Sequence, residues 1–406
     1  MNRQVVVTGL GVISPIGTGK KLFWANLIKG TSGVDKVTLF DTSTFNRHYG
    51  GEVKDFSAER FISPEMIPFV GRASQFAIAA TEFALKDASL TQKSIQKNKN
   101  AIIIGTTMAE ASVIDFSGGM FIKKEWDKIT SKLIVNSFAP SIPRNVGHFL
   151  KIKGENVLIP NACAAGNYAL SYGYDLIRQG KIDYAIVGGA EALSRVAFQG
   201  FQRLYAMGLD VCTPFDKERK GMILGEGAGI LILESLEHAR ARHAHMYAEV
   251  LGYGLSCDAH HMTIPKKEGV RKAMSKALIN SGLSPKDIDY ISAHGTGTQA
   301  NDKNESAAIN EVFENRRVPV SSIKSMLGHT MGAASAIESI TCCMALEHQV
   351  VPPTMNYQTP DPECDIDCVP NKSRKMELTK VLNNGIAFGG NNCCVVLGKI
   401  EADRRG

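Results

Sequence analysis

Residues 157–169 read VLIPNACAAGNYA, and this stretch decides the fold. An apolar run at 157–159 predicts a short buried strand. Pro160 and Asn161 end it, and small residues then open a helix predicted over 164–179, with Tyr168, Leu170, Tyr172 and Leu176 as its buried face. A cysteine at such a strand-to-helix turn lies where the helix dipole and free N–H groups favour a thiolate. The same N–H groups can receive an oxyanion, and the small neighbours leave room for a bulky thioester. An isolated cysteine is more often core filler. The tight turn is what sets Cys163 apart.

The pattern continues in both directions. Strands are predicted at 4–8, 101–104, 184–187, 229–234, 247–253, 290–293 and 393–397, and helices at 76–85, 269–281 and 304–313. Strand and helix in alternation mean an α/β architecture with buried sheets. The chain has the length of one large α/β unit or two fused ones, 406 residues. A strand ends at Cys163 in the first half and another ends at His294 in the second, which suggests a duplication with these two turns as counterparts. The halves are expected at 1–246 and 247–406. No low-complexity linker separates them; the prolines at 352–353 and 360–370 mark a surface loop, and 401–406 reads as a frayed tail.

Bulk properties exclude several classes. The net charge of +6 is spread in short clusters without interleaved aromatics, so no nucleic-acid partner is expected. A mildly basic surface suits an acidic protein. Nine cysteines, two pairs of them adjacent at 342–343 and 393–394 within apolar runs, read as buried reduced thiols. No apolar run reaches the ~18–20 residues of a membrane span, and nothing resembles a signal peptide. A soluble, cytoplasmic protein is expected.

Two histidines join Cys163 as candidates. His294 lies in AHGTGT at 293–298 and His329 in KSMLGHTMGAA at 324–334. Neutral imidazoles donate N–H bonds to a thioester oxygen, which is what a decarboxylation that creates an enolate needs. Lys324 opens the second segment and brings a positive charge. GIAFGGNN at 385–392 reads as a glycine loop that lets Phe388 move. GLGVISPIG at 9–17 lacks the spacing of a dinucleotide loop. Cys257, His260 and His261 fit no common zinc spacing, and no metal is expected.

Together these segments resemble the β-ketoacyl-ACP synthase (ketosynthase) family, nearest its type II elongating condensing enzymes. The resemblance spans the chain: VVVTGLGVISPIG at 5–17, NACAAG at 161–166, TPFDKERKGMILGEGAG at 213–229, CDAHHMT at 257–263, AHGTGT, SSIKSMLGHTMGAA at 321–334, VVPPTMN at 350–356 and AFGGNN at 387–392. It implies a thiolase-like fold with duplicated halves in a five-layered αβαβα arrangement, working as a dimer. It implies Cys163 as acylated nucleophile, His294 and His329 as the decarboxylation pair, Lys324 orienting them and Glu338 in support. Thr296 and Thr298 match positions that hold the phosphopantetheine arm. Phe388 matches the gating residue, and its N–H joins that of Cys163 as the oxyanion hole. Arg203 matches a carrier-docking position. No cofactor is implied, the substrates being carried on the phosphopantetheine of an acyl carrier protein.

Departures concern chain choice. Ile386 stands where elongating enzymes commonly have an aromatic, Ala387 where they have glycine and Asn391 where they have threonine. IGTTMAEA at 104–111 replaces glycines near the acyl-pocket floor, so Met108 and Glu110 are expected to reshape the tunnel end or make it polar. The loop at 204–214 looks shortened. The expected role is therefore type II polyketide or polyene synthesis, with fatty-acid elongation by a β-ketoacyl-ACP synthase II as alternative. A biosynthetic thiolase would use a second cysteine as base, and a chain-length-determining subunit would lose the nucleophile. The expected partners are an acyl carrier protein and either a second copy of the chain or a homologous chain-length factor.

Overall fold

The computed structural model describes residues 3–96, 99–314 and 316–400; the tail at 401–406 lies outside them. Ten strands build the sheet framework. They are β1 (Val5–Ser14), β2 (Asn100–Gly105), β3 (Glu155–Ile159), β4 (Tyr184–Glu191), β5 (Gly227–Ser235), β6 (Ala248–Cys257), β7 (Tyr290–Ser292), β8 (Val320–Ser321), β9 (Lys380–Ile386) and β10 (Asn391–Gly398). The first five pair in the order β3-β2-β4-β5-β1, the second five in the order β8-β7-β9-β10-β6. The senses also repeat: β2 is parallel to β3 and β4, β7 is parallel to β8 and β9, and the remaining pairs are antiparallel. Each half thus has one topology, 3-2-4-5-1, and the halves join where Val6 and Val7 of β1 meet Glu249 and Ala248 of β6.

Eight helices matter for the site: α1 (Arg72–Asp87), α2 (Ala111–Ile122), α3 (Ser131–Ser137), α4 (Ala165–Arg178), α5 (Arg195–Arg203), α6 (Lys267–Asn280), α7 (Gln299–Val312) and α8 (Ala334–His348). α4 and α8 lie between the two half-sheets, α1 covers the outer face of the first and α6 with α7 that of the second. This gives five layers. α8 is buried on every side from Ala334 to Leu346, as a central helix must be, and its side chains there are small or apolar apart from Glu338. Gly166 of α4 admits the close approach, because a Cβ there would lie 2.6 Å from the Ala336 backbone nitrogen.

Three sequence expectations change. Tyr172 is 38% exposed and donates to Glu155, whereas Tyr174 is buried, because the face set by Leu170 continues at 173, 174 and 177. The 360–370 stretch is not merely surface: Cys364, Ile366 and Cys368 are buried in the cluster that α6 and α7 cover. The counterpart of the Cys163 turn is also not the His294 turn. Cys163 follows the third strand of its half; His294 follows the second of its own. The equivalent third-strand turn is Met331–Ala333, which leads into α8 as Ala162–Ala164 leads into α4. Ala162 and Met331 open these turns with positive φ, 46° and 48°. Among the described residues no helix is long and apolar enough to cross a membrane.

Candidate active site

Cys163 is buried at the second position of its turn. Burial pushes its thiol up to about 12; the Lys324 charge and the Phe388 backbone N–H pull the other way. Desolvation therefore works against the thiolate that the turn alone suggests.

His294 sits just beyond β7. Its backbone N–H and that of Gly295 each donate to Glu305, at 2.8 Å to Oε1 and Oε2. Lys324 Nζ donates to the His294 carbonyl at 2.6 Å and lies 3.4 Å from its Nδ1. His329 is held by its own N–H on the Ile223 carbonyl at 2.6 Å. The Met331 N–H donates to His329 Nδ1 at 3.1 Å, so a neutral ring carries its proton on Nε2. That Nε2 is buried and has no partner among the described residues. The rings meet edge to face at 5.2 Å and 83°. Burial, then the Lys324 charge, lower both imidazoles well below their ordinary value, and His329 adds a little at His294.

One ligand-type atom from each of Cys163, His294 and His329 lies within 4.8 Å of the others. These atoms do not suit a resident ion. The Met331 N–H occupies the lone pair of Nδ1, so Nε2 keeps its proton and has none to offer, and the Lys324 ammonium adds repulsion. Lys324 is 1% exposed and pairs with Glu338 on α8, whose carboxyl burial raises to about 7. Neither touches the pocket. They set the charge and the backbone beneath His294.

The pocket above opens to solvent and, with its mouth, spans about 380 Å³ of empty space. Cys163, His294 and His329 form its floor, and Thr296, Thr298 and Ile386 line its wall. The two threonine hydroxyls are 2.9 Å apart, and Thr298 also caps α7 through the Asn301 N–H. Phe388 reaches the pocket from the turn after β9 and stacks on Phe201 at 5.5 Å. Gly389 and Gly390 have φ of 82° and 78°, which side-chain-bearing residues rarely adopt, and the Gly389 N–H binds the Met262 carbonyl at 2.7 Å. Residues 261–265 form the rim; the sequence marked 257–263 as a family segment but gave no role to it.

Met108 and Arg203 stand apart. Met108 packs behind the pocket on the cluster of Phe198, Phe201, Met222 and Met331 that Phe388 also joins. Arg203 is exposed at the end of α5. Glu110 is fully buried. It accepts from the Ser74 N–H at 2.8 Å and from the Ala73 N–H, and so caps α1, whose own cap residue Gly71 offers no side chain, while its Oε2 has no hydrogen-bond partner among the described residues.

Three carboxylates escaped the sequence reading. Glu305 holds the His294 loop. Asp302, one turn earlier on α7, accepts from the Gly297 and Phe215 N–H groups. Glu191 holds the loop at 106–108. Asp302 and Glu305, three apart just after a glycine turn, were a usable signal; nothing local marks Glu191.

The chain matches the beta-ketoacyl synthase N-terminal domain over residues 2–239 and the C-terminal domain over 247–358. It is 36% identical to a 3-oxoacyl-[acyl-carrier-protein] synthase 2 of Staphylococcus aureus, covering 99% of both chains. With the synthase 2 of Synechocystis sp. the identity is 37%, over 98% of this chain and 99% of the other. Among solved structures, "the ishigamide ketosynthase/chain length factor" superposes with a TM-score of 0.94 at 44% identity, covering 98% and 100% of the two chains. A type II PKS acyl-carrier protein in complex with its ketosynthase superposes with a TM-score of 0.90 at 35% identity, again covering 98% and 100%. The chain belongs to the beta-ketoacyl synthase family, condensing acyltransferases with the thiolase-like fold.

Proposed function

We propose that this chain carries out decarboxylative condensation on Cys163 within a type II polyketide or polyene pathway. The observation that carries the chemistry is the convergence of Cys163, His294 and His329 within 4.8 Å, with the His329 Nε2–H unspent. Cys163 Sγ attacks an acyl thioester delivered by an acyl carrier protein. The bond to the pantetheine sulfur breaks, and that sulfur leaves with the Cys163 proton. The N–H groups of Cys163 and Phe388 receive the developing oxyanion. Malonyl-ACP then places its thioester oxygen against the two Nε2–H groups. Loss of CO₂ leaves the electron pair on the enolate, whose carbon attacks the acyl group, and the freed Cys163 regains a proton. Thr296 and Thr298 hold the pantetheine arm, Ile386 and Met108 shape the acyl side, and Lys324 with Glu338 orient the histidines. The reaction requires no metal or nucleotide. Arg203 contributes to carrier docking, the halves divide at 246/247, and the reaction takes place in the cytoplasm.

The polyketide assignment is supported by the 44% identity with the ishigamide ketosynthase/chain length factor against 36–37% with the synthase 2 enzymes, and by the departures at Met108, Ile386, Ala387 and Asn391. Fatty-acid elongation is the second reading, favoured by whole-length similarity to those same enzymes. We further propose a ketosynthase-like partner chain, identical or homologous, over the apolar face of α2 and α3.

Intact-protein mass spectrometry tests both readings. The chain, with Cys163→Ala as control, is incubated with saturated and α,β-unsaturated acyl carriers and then with malonyl-ACP. Preferred loading of unsaturated chains supports the polyene reading; preferred loading of saturated chains supports elongation. Absence of Cys163-dependent loading, with and without a co-expressed partner, would refute both.

A further inference from the structure

The repeat of topology lets the halves be compared turn by turn. Cys163 and Gly332 occupy the same place, second in a one-turn helix that opens with a positive φ and leads into a central helix. The loops after β2 and β7 are likewise equivalent, one carrying Thr107 and Met108, the other His294 and Gly295. Each loop gives two consecutive backbone N–H groups to a buried carboxylate. Glu305 serves the His294 loop. Glu191 serves the other, accepting from Thr107 at 2.6 Å and Met108 at 3.1 Å.

Glu191 does more than its counterpart. It also accepts the Gly332 N–H at 3.1 Å and the Thr106 hydroxyl at 3.3 Å. Gly332 N–H is the counterpart of the Cys163 N–H, one of the two groups assigned above to the oxyanion. Where the first half keeps that place open for a substrate oxygen, the second half fills it with its own carboxylate. The turn and the loop touch directly: a Cβ on Gly332 would lie 2.4 Å from the Thr106 Cα.

We propose that Glu191 is a positioning residue, a resident anion in the duplicated oxyanion place that locks the Met108 wall of the acyl chamber to the turn holding His329. Its surroundings are specific. It is fully buried, makes no ion pair among the described residues, and spends both oxygens on the two elements it joins. Burial raises its carboxyl to about 7, and its charge opposes ionisation of Cys163. The Met331 N–H that fixes the His329 tautomer is adjacent to the Gly332 N–H that Glu191 holds. A displacement at Met108 by a long acyl chain therefore reaches His329 through one side chain.

The inference rests on the ketosynthase reading, so one arm of its test needs no carrier protein. Glu191→Gln and Glu191→Asp are compared with the unaltered protein. The rate of Cys163 alkylation by iodoacetamide at fixed pH between 7 and 9 is followed by peptide mass mapping, together with acyl-chain preference, malonyl-ACP decarboxylation and the melting temperature. In Glu191→Gln an amide N–H₂ faces backbone donors. Its alkylation is expected to speed up because the loop and turn beside the sulfur loosen and a negative charge near it is gone. Loading is expected to shift between chain lengths, and decarboxylation to drop about tenfold to a hundredfold, the effect of unpairing a buried acceptor set. Glu191→Asp is expected to restore the alkylation rate and part of the decarboxylation. Alkylation and chain preference both unchanged in Glu191→Gln overturn the proposal. So does a loss that is equal for all chains and follows the melting temperature alone. Failure of the unaltered protein to load any chain refutes the ketosynthase reading, while the alkylation arm still decides the role of Glu191.

Discussion

His329 uses one ring nitrogen to fix its tautomer and presents the other to the pocket. The Met331 N–H that fills Nδ1 is a backbone group, so the assignment survives any side-chain rearrangement nearby. Burial and the Lys324 charge then keep both imidazoles neutral. A neutral donor can stabilise an enolate without first giving up a proton to it. The consequence for pH is specific. The histidines charge only well below the ordinary value of 6.5, so malonyl-ACP decarboxylation should stay level from pH 8 down past 6.5 and decline only at lower pH. Initial rates of CO₂ release across that range check this; an acidic limb centred near 6.5 would show that the imidazoles titrate as exposed ones. The same depression makes the unfolded chain bind more protons, so these residues favour the fold above 6.5 and cease to do so as the pH falls.

At the scale of elements, α1 shows how a helix end can be completed from a distance. Gly71 supplies no cap, and Glu110, from the start of α2, accepts the first-turn N–H groups. Its carboxyl is raised by burial from 4.5 to about 7. A raised carboxyl contributes stability below 4.5 and loses that contribution as the pH rises through 7, by roughly 3 kcal/mol at about 1.4 kcal/mol per tenfold. Glu110→Gln has no such slope. Its unfolding free energy relative to the unaltered protein should therefore rise by about that amount between pH 4.5 and 8, read from urea unfolding at several pH values; parallel curves would refute the buried-charge account. The elements themselves were legible because each carries its own period. The predicted 164–179 and 269–281 helices fall within two residues of α4 and α6, and 184–187 begins with β4. Cys163, His294 and His329 were legible because glycine and small residues surround them. The capping role of Glu110 and the loop-holding role of Glu191 were not. Each accepts backbone N–H groups brought to it by the fold, and such a partner leaves no side-chain pattern in the sequence. For the same reason the His294 turn was mistaken for the twin of the Cys163 turn: strand order, not local composition, decides which turns correspond.

At the scale of the molecule, one face remains unaccounted for by a single chain. Ile114, Phe116, Phe121, Ile122, Trp126 and Phe138 are between 53% and 81% exposed. They lie on α2 and on the segments that follow α2 and α3, and beside them β3 is an edge strand paired only with β2. An apolar patch of this kind next to an open edge invites association. β3 leads directly into the Cys163 turn, so whatever covers the edge also braces the nucleophile. A second ketosynthase-like chain fits this demand, since pairing its own edge strand with β3 satisfies both sets of backbone groups at once. Sedimentation equilibrium should therefore return twice the chain mass of 44.0 kDa for the protein alone, or one chain of each kind when a homologous partner is co-expressed. Phe121→Glu combined with Phe138→Asp places two charges in the centre of that face. Burying each unpaired charge costs several kcal/mol, so dissociation should strengthen by about a hundredfold or more. Because the edge braces Cys163, loading of acyl chains should fall with the loss of the dimer while the melting curve of the separated chain remains cooperative. A chain that stays monomeric with every partner offered, or a doubly charged variant that remains dimeric, would mean that this face is covered by something other than a second ketosynthase-like chain.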